Sequence, residues 1–262
     1  MVFVAGHFGE WLQGRLGPDG PLVLVTLACA VRGVHAERLG DGPLRIEGTP
    51  PPVSVDQARL CLEALGAPAK GQYAFRPDLA PGGGAGMSTA ALVGLARLAG
   101  IDGAEVARAC LAAEGASDPL MWPAPDRLLW ASRQAETLRH LGPVPRCEIL
   151  GGFWGGPSRT DPKDIQFPDV TDLVSSWDSA DLRGKARLAS LSATRCTALR
   201  GPVDDPMADL AERLGALGHS RAHTGSARAL IFAPGTVPSG AAAVLAAAGL
   251  TGVFQFATGG AE

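Results

Sequence analysis

Four stretches of the chain hold residue types that can do chemistry at a spacing that matters. The first, Pro81-Gly-Gly-Gly-Ala-Gly-Met-Ser-Thr-Ala-Ala91, places a run of glycines ahead of a helix start near Ser88. Glycines let the main chain approach a ligand closely. A helix start adds unpaired N–H groups and the positive end of a dipole, which together suit a phosphate. No Gly-Lys-Ser/Thr follows, so this is not a Walker A loop, nor is it Gly-x-Gly-x-x-Gly after a first strand. The competing reading is a flexible strand-to-helix connection capped by Ser88. The second stretch, Glu114-Gly-Ala-Ser-Asp-Pro119, sets two carboxylates four residues apart on a turn. They can divide metal binding and general-base work between them, or simply mark a helix stopped by Gly115 with Asp118 in the turn before Pro119.

The third stretch, Gly6-His-Phe-Gly-Glu-Trp-Leu-Gln-Gly14, puts Glu10 and Gln13 between glycines straight after a strand. Such residues either meet a ligand at the end of a sheet or sit on an exposed hairpin. The fourth is Gly218-His-Ser-Arg-Ala-His-Thr-Gly-Ser226, where His219 and His223 have i, i+4 spacing. Flanking glycines argue against a helix that would present both to zinc, so a polar loop before a strand is expected. His7 reads as a structural histidine, and Trp122, Trp130 and Trp154 as packing. No Ser-His-Asp or Cys-His motif stands out.

The elements that must position these residues follow from hydrophobic periodicity and breakers. Strands are expected at Val2 to Ala5, Leu22 to Ala28, Val31 to Arg38, Leu44 to Glu47 and Gln72 to Leu79. Ser54 and Gln57 fit a capping box for a helix carrying Val55, Ala58, Leu62 and Leu65 on one face. A helix is expected from Ser88 to Ala99. Another should be capped by Asp102 and Glu105, with Val106, Ala109, Cys110 and Ala113 inward. A third helical stretch is expected at 126–141, ending at the Pro/Gly cluster Gly142 to Pro145, which is the natural boundary between domains at 1–142 and 143–262. Beyond it the pattern predicts a strand at Arg146 to Phe153, helices near 169–177, 181–200 and 205–217, a strand at Ala227 to Ala233, a helix near 239–248 and a last strand at Gly252 to Ala257.

Composition narrows the classes of function. With 262 residues, 46% of them hydrophobic and 19% charged, the chain can build a real core. Glycine (35) and proline (21) are abundant but show no Gly-X-Y period, which removes collagen. A net charge of -3 lacks the basic excess of a phosphate-backbone binder, so nucleic acid is not an expected partner. Only three lysines occur (Lys70, Lys163, Lys185), and there is no asparagine, hence no N-glycosylation sequon. Five scattered cysteines without a Cys-x-x-Cys pair read as buried thiols in a reducing compartment. Apolar runs of ten residues are too short to span a bilayer and no signal-peptide pattern is present, so a cytoplasmic protein without a membrane partner is expected.

The order of these motifs resembles that of the GHMP kinases (galactokinase, homoserine, mevalonate and phosphomevalonate kinases), and within them the L-threonine kinases of cobalamin synthesis found with propanediol-utilisation proteins. Gly9-Glu10-Trp11-Leu12-Gln13-Gly14 is similar to that group's Gly-Glu-Leu-Ile-Gln-Gly opening. Gly86-Met87 followed by Ser88-Thr89-Ala90 resembles its Gly-Met-Ala-Ser-Ser-Thr-Ala loop. Glu114 to Asp118 resembles Glu-Pro-Thr-Asp, Ala222 to Ser226 resembles Ala-His-Ser-Gly, and Thr160-Asp161 to Phe167 resembles a Val-Asp-Thr-Ile-Glu-Phe strand. The resemblance implies an α+β, two-lobed fold: an N-terminal ribosomal-S5-like mixed sheet with helices and a C-terminal ferredoxin-like lobe. It implies ATP with its phosphates on Gly82, Gly83, Gly84, Ala85, Gly86, Met87, Ser88 and Thr89. Mg²⁺ would sit on Ser88 and Glu114, Asp118 would orient or deprotonate the acceptor hydroxyl, and Glu10, Gln13, His223, Thr224 and Gly225 would hold the acceptor. The acceptor would be a hydroxy amino acid or amino alcohol, L-threonine ahead of 1-amino-2-propanol and homoserine, and a homodimer is compatible with the family. The chain departs from the pattern in a glycine loop one residue shorter, with Gly84 where the relatives carry Lys. The positive charge would then come from Arg15, Arg221 or Arg228. A kinase-shaped protein that binds nucleotide or metabolite without transfer is the alternative.

Overall fold

A computed structural model describes residues 1–158 and 161–260. In chain order the elements are β1 (Val2–Arg15), β2 (Leu22–Pro43), β3 (Arg45–Glu47), α1 (Val55–Ala64), β4 (Lys70–Pro77), α2 (Met87–Leu98), α3 (Ala104–Glu114), a short 3₁₀ turn (Pro125–Arg127), β5 (Leu128–Ala131), β6 (Glu136–His140), β7 (Cys147–Phe153), α4 (Thr171–Ser176), α5 (Leu182–Arg200), α6 (Met207–Leu214), β8 (Gly218–Arg221), β9 (Ala227–Phe232), α7 (Ala241–Ala247) and β10 (Thr251–Thr258). The fold is α+β. Among the described residues the strands form one sheet in the order β10-β7-β9-β8-β1-β2-β4-β3, with β5 paired to β2 and β6 to β5. Strands from residues 1–142 and 143–262 meet where β8 pairs with β1, at Glu10 and Arg221. Among the described residues all strand–strand pairings are antiparallel except β3 with β4, and an isolated parallel bridge joins Arg15 to Asp169.

β1 carries the most information. It does not end at Ala5, as its first glycine implies, but runs on to Arg15 with register shifts at Ala5/Gly6, His7/Glu10 and Glu10/Leu12. Gly9 sits at φ 72°, open to glycine; the shifts at His7/Glu10 and Glu10/Leu12 each set one extra β1 residue against β2, while at Ala5/Gly6 the extra residues lie on β2. Strict alternation would send His7 and Glu10, three apart, to opposite faces. The bulge turns both inward, where they are 3% and 7% exposed.

α2 is buried on almost every side, from Met87 through Ala96, as expected for a helix that is apolar all round. The Ser54–Gln57 capping box forms as predicted: Gln57 N donates to Ser54 Oγ at 3.1 Å and Ser54 N to Gln57 Oε1 at 2.9 Å. The first core joins residues of both halves, among them Leu12, Leu92, Ile149 and Ala229. A second core gathers Leu150, Met207, Leu230, Phe232 and Leu245 around the C-terminal strands.

Several expectations are corrected. Residues 126–141 are not a helix but the 3₁₀ turn followed by the β5–β6 hairpin. Leu128–Ala131, buried throughout, pairs with Val23 and Leu24 of β2, and that distant partner overrides the helical tendency of the sequence. The two strands expected within 22–38 are one continuous β2. Asp102 and Glu105 do not cap α3, whose N-cap is Gly103 without a side-chain bond; α2 starts from Gly86, not from a Ser88 cap. Residues 161–167 form no strand, and Thr160 lies outside the described residues. Residues 218–221 are strand β8 rather than loop. No helix is long and apolar enough to cross a membrane, and all five cysteines are buried and unpaired.

Candidate active site

A cavity of about 360 Å³ opens where β1, the 82–89 loop, the end of α3 and the β5–β6 hairpin converge. The loop is tied down through its carbonyls. Ser158 N donates to Gly82 O (2.9 Å), Ser226 N and Ala227 N to Gly83 O (3.0 and 2.8 Å), Gly9 N to Gly84 O (3.1 Å) and His7 N to Ala85 O (3.2 Å). The N–H groups of Gly84 to Thr89 make no hydrogen bond to another described residue. They face the cavity at the start of α2, a ready anion cradle. The glycines are required there: at Gly84, φ 78°, an added Cβ would lie 2.3 Å from Ala222 Cβ and 2.6 Å from Thr224 O. Gly82, Gly84, Ala85, Gly86, Met87, Ser88 and Thr89 line the cavity, and Gly83 does not.

The carboxylates lie on the opposite wall. α3 ends at Glu114, with Gly115 in the left-handed region as its C-cap. The following loop is held by the hairpin: Ser117 N donates to Ser132 O at 2.9 Å, and Trp130 Nε1 to Ser117 O at 2.7 Å. Asp118 is thereby aimed into the cavity. Ser88 Oγ donates to Glu114 Oε1 at 2.5 Å, and the Thr89 hydroxyl lies 3.3 Å from Glu114 Oε2 and 3.2 Å from Asp118 Oδ2. Gln57, from the capping box, also reaches Glu114 Oε1 with its Nε2 at 3.3 Å.

His7, read from sequence as structural, stands 3.2 Å from Asp118 Oδ2 through Nε2. Its Nδ1 lies 3.2 Å from Gly9 O and 3.6 Å from Glu10 Oε1. Burial opposes the imidazolium, but the Asp118 carboxylate outweighs it and lifts His7 to about 9. Burial likewise works against Asp118, and the charge and hydrogen bond of His7 hold it below the usual carboxylate range. Glu10 is pushed up to about 7 by burial, with His7, the His223 main chain and Arg221 pulling it down and Asp118 adding to the rise. Its Oε2 has no partner among the described residues.

No protein-family model and no curated protein sequence matches the chain. The architecture does match solved structures over nearly its whole length. L. major mevalonate kinase, solved with R-mevalonate, is 14% identical, covers 98% of this chain and 96% of its own, and superposes with a TM-score of 0.65. Homoserine kinase from Cytophaga hutchinsonii gives 14%, 98%, 93% and 0.56, and a phosphotransferase related to CoA biosynthesis 13%, 98%, 97% and 0.64. The chain has the GHMP-kinase fold.

Within the GHMP-kinase fold the remaining residues sort by position. Glu10, Gln13 and Thr224 line the same cavity as Asp118. His223 lies behind it, stacked on Phe167 with ring centroids 5.7 Å apart, and Gly225 packs against Gly83. None of the three arginines expected near the phosphates lines the cavity. Arg15 donates to Gly20 O and Ile165 O, while Arg221 and Arg228 lie beside Asp205. Arg133 lines it instead, from the hairpin turn, held by Gly115 O at 3.1 Å and Asp161 O at 3.0 Å. Partial burial pulls its guanidinium below the ordinary value, with Asp164 and Asp161 resisting.

Among the described residues no three His, Cys, Asp or Glu side chains are grouped to hold a metal. Mg²⁺ does not need such a cage, since it is usually held by one or two carboxylates plus substrate phosphates. Glu114, Ser88 and Thr89 present only oxygen atoms within hydrogen-bond distance of one another, a donor set that fits this cation.

Proposed function

We propose that the chain is an ATP-dependent kinase that phosphorylates the hydroxyl of a small hydroxy amino acid or amino alcohol. L-threonine is the leading acceptor, giving O-phospho-L-threonine for assembly of the cobalamin nucleotide loop; homoserine and 1-amino-2-propanol come next. The observation that carries this reading is the meeting, in one cavity, of the free N–H groups of 84–89, the Glu114 oxygens and the His7–Asp118 pair.

Residues 1–142 supply the nucleotide side. The Gly84 to Thr89 N–H groups bind the triphosphate, and Arg133 provides the charge that a loop lysine would otherwise give. Glu114 and Ser88 hold Mg²⁺, which when bound offsets charge on the triphosphate. Asp118 accepts the hydrogen bond of the acceptor hydroxyl and aims its oxygen at the terminal phosphate. Held ionised by His7, it is a weak base, and phosphoryl transfer asks for positioning and charge stabilisation more than for proton abstraction. Glu10, with its unpartnered Oε2, suits an acceptor ammonium. Residues 143–262 close the acceptor side with Thr224 and Phe167. The five buried thiols fit a reducing cytoplasm.

The test is a panel of hydroxy amino acids and amino alcohols incubated with Mg-ATP, with ADP release followed. Stimulation by at least one member, L-threonine foremost, is expected. A flat response across the panel would favour a nucleotide-binding protein without transfer.

A further inference from the structure

A second cavity, of about 700 Å³, lies behind the first and shares Ser158 and Thr224 with it. Arg221 in its wall is 5% exposed, and every hydrogen bond it makes goes to a neutral oxygen. Nη1 donates to Thr197 Oγ1 at 2.7 Å and Gly201 O at 3.1 Å, Nε donates to Ala222 O at 3.2 Å, and Nη2 donates to no described residue. The carboxylate of Asp205 is 3.7 Å away but is engaged by Arg228 at 2.6 Å. One carboxylate therefore serves two buried guanidinium groups. Arginine does not give up its proton in a protein, and a buried charge without a counter-ion is costly.

Neither of the other carboxylates of this wall is bonded to Arg221: Asp164 pairs with Arg200 at 2.6 Å, and Asp161 accepts from the main-chain N–H of Lys163 at 2.8 Å. Arg200 in turn lies 5.0 Å from the Phe167 ring centroid, and the same ring stacks on His223. Phe167 also lines the first cavity. The space holding Asp118 and the space holding Arg221, which shares its one carboxylate with Arg228, therefore adjoin at Phe167, Ser158 and Thr224.

We propose that the second cavity binds an anionic group of the acceptor, a carboxylate or a phosphate ester, and so selects acceptors that carry one over amino alcohols that do not. The planar fork of Arg221 matches either anion, with Arg200 beside it. This inference rests on reading the first cavity as the site of the acceptor hydroxyl.

Binding measured by calorimetry without ATP tests it apart from transfer. The probes are L-threonine and glycerol 3-phosphate, against their uncharged-end counterparts 1-amino-2-propanol and glycerol. At least one anionic probe binds about tenfold more tightly than its counterpart, the size expected of one charge-assisted contact; the winning pair tells carboxylate from phosphate. Arg221→Gln removes the preference. Because Arg221 also holds Thr197 and Gly201, Arg200→Gln is the deciding variant, and it narrows the same preference at least threefold, read as the ratio of the two affinities. No preference in the wild type, or a preference that survives Arg200→Gln intact, would overturn the proposal. Transfer failing on every acceptor while the preference holds would instead overturn the kinase reading and leave the anion site standing.

Discussion

Two buried charge clusters face each other across Thr224, and they are unbalanced in opposite senses. Beside the glycine loop, two acids (Asp118 and Glu10) share one base, His7. Beside β8, two bases (Arg221 and Arg228) share one acid, Asp205. Fully paired clusters would stiffen a core and do little else; each of these leaves one charge to be met from outside. The contrast extends to how they were built. The acidic cluster depends on a bulge and a loop end, while the basic one hangs on the backbone pairing of Arg221 with Arg228 in adjacent strands. A molecule carrying a hydroxyl, an ammonium and an anion would meet both.

The contrast breaks most severely at Asp118. Asp118→Ala is expected to lower acceptor phosphorylation by roughly 10²- to 10⁴-fold while far-UV circular dichroism and the basic cluster stay unchanged; undiminished turnover would remove Asp118 from the reaction. Gly84→Ala comes next, because Gly84 is where the two regions touch. A Cβ there runs into Ala222 and Thr224, and the positive φ adds strain, so a loss of about 1–3 kcal/mol is expected in denaturant unfolding. A stable variant would mean that the loop and the β8–β9 connection are not pressed together. Arg133→Gln sharpens the comparison from the nucleotide side. The KM for Mg-ATP should rise about tenfold with acceptor binding unaffected, and an unchanged KM would assign the triphosphate charge to another cation.

A further expectation concerns pH. His7 titrates at about 9 in the fold against an ordinary 6.5, so its charged form stabilises the protein fully below pH 6.5, and that contribution is lost as pH climbs through 9. Glu10, moved from 4.5 to about 7, costs stability across the lower window instead. The melting temperature of the wild type should therefore fall between pH 6.5 and 9 more steeply than that of His7→Gln. Parallel curves in the upper window would contradict the His7–Asp118 pairing.

What the sequence revealed and what it hid divide along the same physical line. The Ser54–Gln57 capping box, the helix after Gly86 and the apolar strands of the C-terminal half rest on contacts a few residues long, and they were readable. The β5–β6 hairpin was not: Leu128–Ala131 is four residues long, and its strand identity comes from Val23 and Leu24, about a hundred positions away. With the hairpin missing, Arg133, the arginine that lines the cavity, is not recognisable from the sequence. Ser88, Glu114 and Asp118 were singled out from short motifs and do come together, yet their neighbour His7 is 111 residues from Asp118. The one local sign was Gly9 between His7 and Glu10, the position whose left-handed conformation makes the bulge. Arg221 and Arg228 are legible as charges, but that they lie beside Asp205 and outside the first cavity is not, since nothing local says which side of a strand faces the loop.

The central claim is that Asp118 directs a phosphate from ATP on the glycine loop to an acceptor hydroxyl. A single-turnover experiment with γ-labelled ATP, Mg²⁺ and L-threonine or the best acceptor of the panel, run on the wild type and on Asp118→Asn, tests it directly. Label is expected to move to the acceptor oxygen in the wild type and to stay on ATP in Asp118→Asn, with equal ATP binding by the two proteins. Equal transfer by both, or no ATP binding by either, would contradict it.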